Sequence, residues 1–299
     1  MNLHRLDLVS LALFASIVRL GSISKAAEQD HLALAAASRR ISDLESAIGA
    51  PLLERHSRGV RPTLAGEALF AHAQRILGDV DRLAADLSDH ARGVVGVVRL
   101  WANTSAVTQF LPADLARFSE SHPGIRIELQ EHDSAEIVKA VLEGRAELGL
   151  FADRVDPLGV QTRVYRRDTL VVVVPGGHPL ARRRRVQLTD IASHDVVSLS
   201  QGTSLAQRLE GEASNQGFAL RARVHVRSFD AMCQMVAAGL GIAVLPLDAI
   251  QPHLRSMRLV KLDLAEPWAE RELLIGARDF DALSRSARQM LAHLSRAQG

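Results

Sequence analysis

Cysteine is almost absent from this 299-residue sequence, and its scarcity excludes two kinds of stabilising site. The single Cys233 can form neither an intramolecular disulfide nor a cysteine-based zinc cage. It lies in the apolar run 232–236, which predicts a buried small hydrophobic side chain rather than a redox centre.

Motifs that bind metals or nucleotides are missing as well. The two closest histidines, His122 and His132, are too far apart for an HxH or HxxxH metal pair. Neither a GxxxxGK phosphate loop nor a GxSxG nucleophile motif occurs. An enzyme stays an alternative because catalytic triads can be scattered along a chain. We expect no catalytic residue, no metal and no cofactor.

Excess charge and long apolar runs are also lacking. Lys and Arg number 36 and Asp and Glu 34, so the formal net charge is only +2 at pH 7. Any affinity for DNA must therefore come from the local placement of arginines, not from bulk charge. No apolar stretch approaches a membrane span and the first residues show no secretory signal. We expect a cytoplasmic protein with no membrane partner.

The first sixty or so residues predict short helices in tight succession. Apolar residues recur at helical spacing over 8–18, and Gly21 interrupts the pattern. A second short helix is predicted over about 24–29, followed by a third that ends at Gly49. The third helix carries one apolar stripe, Ala37, Ile41, Leu44 and Ile48. This succession is typical of a helix-turn-helix.

A basic hairpin is predicted directly after these helices. Two short strand-like segments flank the turn 56–59, and the hairpin carries Arg55, Arg58 and Arg61. Taken alone, such a hairpin is usually a solvated surface turn. Beside a helix-turn-helix it favours phosphate contacts on either side of the groove that the helix enters.

The next predicted helix has a narrow apolar seam. Thr63 can cap it, and the helix should run to about His90. Its apolar residues repeat at alternating spacings of four and three: Leu69, Ala73, Ile76, Val80, Leu83 and Leu87. A helix that packs only on its own domain shows a wider stripe, whereas a heptad seam is typical of a helix paired with another helix. We predict a homodimer formed through this segment.

Strand-like and helix-like segments alternate over most of the remaining chain. The predicted strands are 97–101, 125–129, 148–151, 170–174, 196–199, 222–226 and 241–245. The predicted helices lie near 105–120, 134–144, 203–216 and 228–239. Such alternation is typical of an α/β domain with mostly parallel strands.

Many positions between residues 8 and 72 carry particular residue types at fixed offsets from one another. They are Leu11, Phe14, 21–28, 38–41, Leu44, Glu45, Ile48, Gly49, 52–55, 58–60, Thr63, Ala65 and Gly66. At these offsets the segment resembles the DNA-binding part of LysR-type transcriptional regulators. Residues 111–112, 178–181 and 239–246 resemble motifs of the effector domain in the same family.

The resemblance implies an α/β protein with a winged helix-turn-helix at 1–64, a linker helix at 65–91 and an effector domain at 92–299. That domain should have two lobes like a periplasmic binding protein, lobe I at about 92–163 plus 267–299 and lobe II at about 164–266. The implied partners are promoter DNA, a small-molecule effector, RNA polymerase and further copies of the chain, commonly in a homotetramer. The extra N-terminal unit disfavours the rival interpretation of a simple solute-binding module.

The start of the third helix departs from the family pattern. Family members usually have a polar Ser-Gln-Pro there, whereas this chain has Ala33, Leu34 and Ala35, which cannot hydrogen-bond to base edges. Either Leu34 extends the apolar stripe into the core, or Leu34 or Ala35 meets a thymine methyl group in the major groove.

Readout by hydrogen bonds then shifts to the next turn of the helix. Ser38 and Arg39 lie opposite the stripe, on the side that faces the major groove in a docked helix-turn-helix. Arg39 can contact guanine and Arg40 a phosphate, the alternative being an ion pair with Asp43. The residues predicted to contact DNA are Ser24, Leu34, Ala35, Ser38, Arg39, Arg40, Arg55, Arg58 and Arg61.

Loops after predicted strands favour a ligand site. Ligands of two-lobed α/β domains bind beyond the carboxyl ends of strands, near helix N-termini whose free N–H groups favour anions. The resemblance points to the same loops. The residues predicted to bind an effector are Asn103, Thr104, Ser105, Ser134, Gln201, Gly202, Thr203 and Ser204. Plain helix capping is the alternative for the Ser and Thr residues. We expect a small anionic effector such as a carboxylate.

Overall fold

The computed structural model describes residues 6–56, 59–91 and 96–296, and it describes their side chains except at positions 55, 81, 82 and 84–91. The chain divides into two compact units, Met1–Arg92 and Gly93–Gly299. The three-part division predicted from the sequence, and the limits of its two lobes, stay predictions.

The first unit is built from helices and one hairpin. Its elements are α1 (Leu8–Leu20), α2 (Ile23–Gln29), α3 (Leu34–Ile48), β1 (Leu53–His56), β2 (Gly59–Pro62) and α4 (Leu64–Ala91). The predicted helices and the hairpin are confirmed. The helix ends follow local chemistry, because Asp7 accepts a hydrogen bond from the Ser10 amide at the start of α1 and Gly21 ends that helix with a φ of 62°.

One apolar core holds this unit together. α1 packs against α2, α3, β2 and α4, so it is the central helix. Phe14, Ile17, Ile41, Leu44 and Leu52 are buried in the core. The hairpin is fixed to the turn after α1, since the Val60 amide donates to the Gly21 carbonyl at 2.9 Å.

The long helix α4 starts as the sequence predicts. Thr63 caps it by accepting from the Gly66 amide at 3.0 Å. Ala73 on the seam is buried within the unit, but Ile76, Val80 and Leu83 are 40%, 37% and 59% exposed. The side chain of Leu87 lies outside the described part. None of the described helices combines the length and apolar character needed to cross a membrane.

The second unit is a mixed α/β assembly. Its elements are β3 (Gly96–Ala102), α5 (Thr104–Gln109), α6 (Leu111–Ser121), β4 (Ile125–Glu131), α7 (Ser134–Leu142), β5 (Leu148–Ala152), β6 (Gln161–Pro175), β7 (Arg185–Val186), α8 (Leu188–Ile191), β8 (Asp195–Leu199), α9 (Ser204–Asn215), β9 (Arg221–Val226), α10 (Phe229–Ala237), β10 (Ala243–Pro246), α11 (Leu247–Ser256), β11 (Leu259–Leu264), β12 (Glu270–Ala277) and α12 (Arg285–Arg296). Short 3-10 turns lie at Pro179–Arg182 and Pro267–Ala269. The helix predicted near 105–120 is divided at Phe110, because Pro112 lacks an amide donor and restricts the residue before it.

The sheet order explains the two lobes. Strands pair in the order β4-β3-β5-β12-β6-β11-β7, with β10 also on β6 and a separate parallel pair β8-β9. β6 carries the chain from one lobe to the other, since residues 161–169 pair with β12 and residues 170–175 with β10 and β11. Each lobe has its own apolar core, one around Leu100 and Leu150 and one around Val172 and Val244.

The prediction of mostly parallel strands holds for half of the described strand pairs in this unit. β3 pairs in parallel with β4 and β5, β11 with β7 and β8 with β9, but β6 and β12 are antiparallel to every described strand beside them. The physical reason is that the chain crosses between the lobes twice. β6 leaves the first lobe and β12 returns to it, so the two run in opposite directions.

The prediction for Cys233 is confirmed: it is fully buried, and burial raises the pKa of its thiol to about 11.

Candidate nucleic-acid interface and ligand cleft

The helix α3 has one buried and one open side. Ala37, Ile41, Leu44 and Ala47 are buried, whereas Ala35 and Arg39 are exposed. Leu34 is 51% exposed, so the interpretation that it extends the core stripe is wrong; the stripe begins one turn later, at Ala37. Ser38 is half-buried, and its carbonyl accepts from the Ser42 hydroxyl at 3.1 Å.

The two arginines of α3 have different surroundings. Arg40 donates from Nη1 to Asp7 Oδ1 and to Ser10 Oγ, both at 3.2 Å, which ties α3 to the start of α1. Pairing of Arg40 with Asp43 is therefore corrected to pairing with Asp7, because the α1 cap already supplies an oriented carboxylate. Within the described part of the chain Arg39 has no ion pair. Its guanidinium is therefore available to another molecule.

The remaining predicted DNA contacts lie on α2 and the hairpin. Ser24 in the first turn of α2 and Arg61 on β2 are exposed. The side chain of Arg55 and the whole of Arg58 lie outside the described residues. Gly59 holds the hairpin close to the helices, because its φ is 135° and a Cβ there would collide with the Gly21 carbonyl oxygen.

Three helix N-termini of the second unit converge on one serine. Asn103 accepts from the Ala106 amide at 3.0 Å to cap α5, and its Nδ2 donates to Ser134 Oγ at 3.2 Å. The same Oγ accepts from the Ala152 amide at 3.2 Å and donates to Ser204 Oγ at 3.3 Å. This chain of hydrogen bonds joins the starts of α5, α7 and α9.

A cavity of about 530 Å³ opens beside this junction. It is lined by Thr104, Glu131, His132, Asp133, Glu136, Ser200, Gln201, Thr203 and Arg227. A hollow of only about 10 Å³ adjoins it, lined by Asn103, Thr104, Ser105, His132, Asp133, Ser134, Leu199, Thr203, Ser204 and Leu205. Gly202 faces Asp133 across the opening, since a Cβ on it would lie 3.7 Å from Asp133 Oδ2. The structure thus brings all eight predicted effector residues to one place.

Acidic residues of this lining were missed by sequence reasoning. Glu131 accepts from Thr104 Oγ1 at 2.6 Å, and Glu136 Oε2 lies 3.1 Å from His132 Nδ1. The His132 ring stacks on Trp101, with ring centroids 3.9 Å apart. Glu131 is the last residue of β4, His132 follows it, and Glu136 lies in the first turn of α7, after the predicted Ser134. No sequence motif distinguishes these two carboxylates from solvated surface residues.

Arg227 was also missed, and it differs from the other lining residues in charge. It follows β9 directly and is exposed, with no ion pair to any residue that the structure describes. It is the basic member of a lining that otherwise carries three carboxylates. No group of three or more His, Cys, Asp or Glu side chains in the described ranges is placed to hold a metal ion.

One buried ion pair is hydrogen-bonded to a predicted effector residue. Arg271 on β12 donates twice to Asp168, from Nε to Oδ1 at 2.5 Å and from Nη2 to Oδ2 at 2.6 Å. Its Nη2 also donates to Ser105 Oγ at 2.9 Å. Gln109 adds a third hydrogen bond to Asp168, at 3.0 Å. Ser105, a predicted effector residue, is thus occupied by Arg271 and only 5% exposed.

A second set of charged residues connects α9 with the loop after β5. Arg154 pairs with Glu212, and Arg208 Nη2 lies 3.5 Å from Asp153 Oδ2. Burial lowers the pKa of Arg208, and the negative charge of Asp153 acts in the opposite direction. These pairs hold the first lobe against α9 of the second.

Comparison with known proteins assigns both units to one family. Residues 8–67 match the family described as bacterial regulatory helix-turn-helix protein, lysR family, and residues 91–299 match the LysR substrate binding domain. A RuBisCO operon transcriptional regulator of Allochromatium vinosum is 31% identical over 259 residues, which cover 86% of this chain and 85% of the relative. This relative is named as a regulator of transcription.

Solved structures show the same fold. Full-length CbnR, a LysR family regulator complexed with its target DNA, has a TM-score of 0.65 at 20% identity and covers 98% of this chain and 100% of its own. The regulatory domain of CcmR from Synechocystis, solved in complex with 2-PG, has a TM-score of 0.63 at 22% identity over 68% of this chain and 97% of its own. From the two family matches, the chain belongs to the LysR family and is a DNA-binding transcriptional regulator with an effector-binding domain.

Proposed function

We propose that the chain binds promoter DNA as a homo-oligomer through α3 and its hairpin, and that a small molecule in the cavity changes this binding. The observation that carries the proposal is the open side of α3, where Arg39 is exposed without an ion partner inside the described chain. A helix-turn-helix docks this side in the major groove. Such binding takes place where the chromosome is, so we propose a cytoplasmic protein.

Selection from random duplexes tests this proposal directly. The purified full-length chain should enrich one dyad-symmetric sequence whose half-sites are about one helical turn, or a multiple of it, apart. Fluorescence anisotropy with the selected duplex and a random one then gives the specificity ratio. Equal affinity for both duplexes at physiological salt would reject DNA readout by this chain.

Assembly follows from the α4 seam. Ile76, Val80 and Leu83 expose apolar surface at heptad positions, which a second copy of α4 would cover. A tetramer, together with contact to RNA polymerase, is the further expectation from the family resemblance. The solved complex of full-length CbnR with its target DNA supports DNA binding by a full-length chain of this fold.

Removing Arg39 and removing Arg61 should have different consequences. Arg39→Ala should cost about 1–3 kcal/mol at one base pair and relax preference there, because a base-edge contact is lost. Arg61→Ala should weaken all duplexes equally and reduce the salt slope by about 1, because a phosphate contact is lost. Repeating the selection and the salt titration with both variants measures this.

A matched control for these arginines is available in the other unit. Arg288 on α12 is exposed, and Arg288→Ala should change neither the selected sequence nor the salt slope. If Arg39→Ala selects the same sequence as the parent with unchanged discrimination, Arg39 does not read a base.

The charged residues that line the cavity limit the chemical class of the effector. We propose that an anionic group, such as a carboxylate, faces Arg227 and the start of α9, where backbone N–H groups and the helix dipole favour anions. Glu131, Asp133 and Glu136 repel further negative charge, so the rest of the molecule should present hydrogen-bond donors. A hydroxy acid or an amino acid fits this pattern better than a bare polycarboxylate. The solved CcmR domain in complex with 2-PG supports a small molecule as ligand within this fold.

Matched ligand sets test the effector class by thermal shift. Each set keeps one monocarboxylate skeleton and varies a hydrogen, a hydroxyl or an ammonium, as in propionate, lactate and alanine or butyrate, 2-hydroxybutyrate and 2-aminobutyrate. In the set that binds, the hydroxyl or ammonium member should stabilise the chain by about 2.7 kcal/mol at 100-fold its Kd. Arg227→Gln should abolish the shift. A set in which the bare acid stabilises the chain equally contradicts the assigned role of the three carboxylates.

A further inference from the structure

The first turn of α3 presents an apolar surface to solvent. Leu34 is 51% exposed, and Ala33, Ala35 and Ala36 are exposed beside it. Leu34 does not belong to the core around Phe14, and Ala33 caps the helix without any side-chain hydrogen bond. This end of the helix therefore offers methyl groups and no side-chain donor or acceptor.

The second turn of the same face is polar. Leu34 and Ser38 are four residues apart, as are Ala35 and Arg39, so each pair lies one above the other on the helix surface. A recognition helix enters the major groove with its N-terminal residues against the base edges. Thymine is the base that presents a methyl group there, and apolar side chains are its partners.

We propose that Leu34 is a specificity-determining residue, which contacts thymine methyl groups beside the base pair that Arg39 reads. The inference rests on the proposed DNA binding and adds the base class to it. Each half-site should therefore contain thymine at the base pair that Leu34 faces. A polar residue in place of Leu34 would select that base by hydrogen bonds. Ala35 lies next to Leu34 and contributes the smaller part of the same apolar surface.

DNA is a better occupant of this surface than a second copy of the chain. One leucine and three alanines expose far less area than the roughly 800 Å² per partner that a stable protein interface needs. The neighbouring side chains on the open face are Arg39, free of ion pairs within the described residues, and Ser38. A positive charge beside an apolar spot complements a DNA groove, where phosphates flank the base edges.

Uracil substitution isolates the methyl contact. In the selected duplex each thymine is replaced in turn by deoxyuridine, which keeps the base pair and lacks only the C5 methyl. For the parent chain we expect about a fourfold loss of affinity at one or two positions, the factor that corresponds to one buried methyl-sized group. Leu34→Ala should bind more weakly overall, and its affinity should be nearly insensitive to uracil at those same positions.

Two further variants complete the design. Leu34→Gln should shift the selected base towards adenine, whose N6 and N7 pair with a glutamine amide. Leu129→Ala removes an equally apolar side chain, 38% exposed on β4, and should keep the full sensitivity to uracil. An unchanged melting temperature of Leu34→Ala verifies that the fold is kept, as expected for an exposed leucine.

The outcomes separate this inference from the proposed function. Absence of any selected site rejects DNA readout as a whole. A selected site with no uracil effect at any thymine, or with the same effect in Leu34→Ala, overturns the role of Leu34 while DNA binding stands. A changed mass of the Leu34→Ala assembly would instead make Leu34 a contact between copies of the chain and would also overturn the inference.

Discussion

Arg271→Met is expected to lower the free energy of unfolding of the effector unit by about 3–5 kcal/mol, the usual cost of removing one partner of a buried ion pair. The side chains of Arg271 and Asp168 are each only 1% exposed. Methionine fills similar volume but leaves the Asp168 carboxylate without its counter-charge. Gln109 can supply only one neutral donor to it.

Tryptophan fluorescence provides a clean readout for this prediction. The chain has two tryptophans, and both Trp101 and Trp268 lie in the unit Gly93–Gly299, so their urea transition reports that unit alone. The matched control is Arg167→Met on the same strand as Asp168. Arg167 pairs with Glu272 at 3.0 Å but its side chain is 79% exposed, so its loss should cost less than about 1 kcal/mol.

A double replacement separates the charge effect from lost packing. Arg271→Met combined with Asp168→Leu removes both charges, and it should recover most of the stability lost in Arg271→Met. Equal transitions for Arg271→Met and Arg167→Met would show that the buried pair does not stabilise the unit. No recovery in the double variant would point to the hydrogen bond with Ser105 as the main contribution.

The fold of the first unit could be predicted because its signals are local. Caps, turn glycines and helical spacing lie within a few residues of the elements they determine, as with Asp7, Gly21 and Gly49. The exposure of Leu34 could not be predicted, because helical periodicity alone extends the apolar stripe of α3 from Ala37 back to Leu34. Only packing against α1 shows that the core ends at Ala37.

In the second unit the missing information is long-range. Only residues 170–174 of β6 form an apolar run, and the polar half becomes a strand because β12, far along the chain, pairs with it. β11 and β12 were not predicted for the same reason, and the last two helices were not predicted either. Strand-end serines and threonines could be found from capping patterns. Glu131 and Glu136 could not, since in sequence they resemble any solvated carboxylate.

Leu83→Asp is expected to dissociate the α4 pair and, with it, most of the DNA affinity. Leu83 is 59% exposed in the single chain, so the substitution removes little from the core of the unit. In a paired seam each copy loses the free energy of burying Leu83, about 1.5–3 kcal/mol. The two introduced carboxylates also face each other in the seam. The dimer should therefore weaken by about 10³-fold or more, since every 1.4 kcal/mol is a factor of ten.

Sedimentation and DNA binding measure the two consequences together. The mass of the Leu83→Asp assembly should at least halve at micromolar concentration, and affinity for the two-half-site duplex should fall by about 10²–10⁴-fold, because the second half-site is no longer bound intramolecularly. Ala71→Asp is the control, as Ala71 is exposed on α4 but off the seam. It should keep the parent mass and affinity. If Leu83→Asp behaves like Ala71→Asp, the exposed seam is not what joins the copies, and the half-sites must be bridged by contacts outside α4.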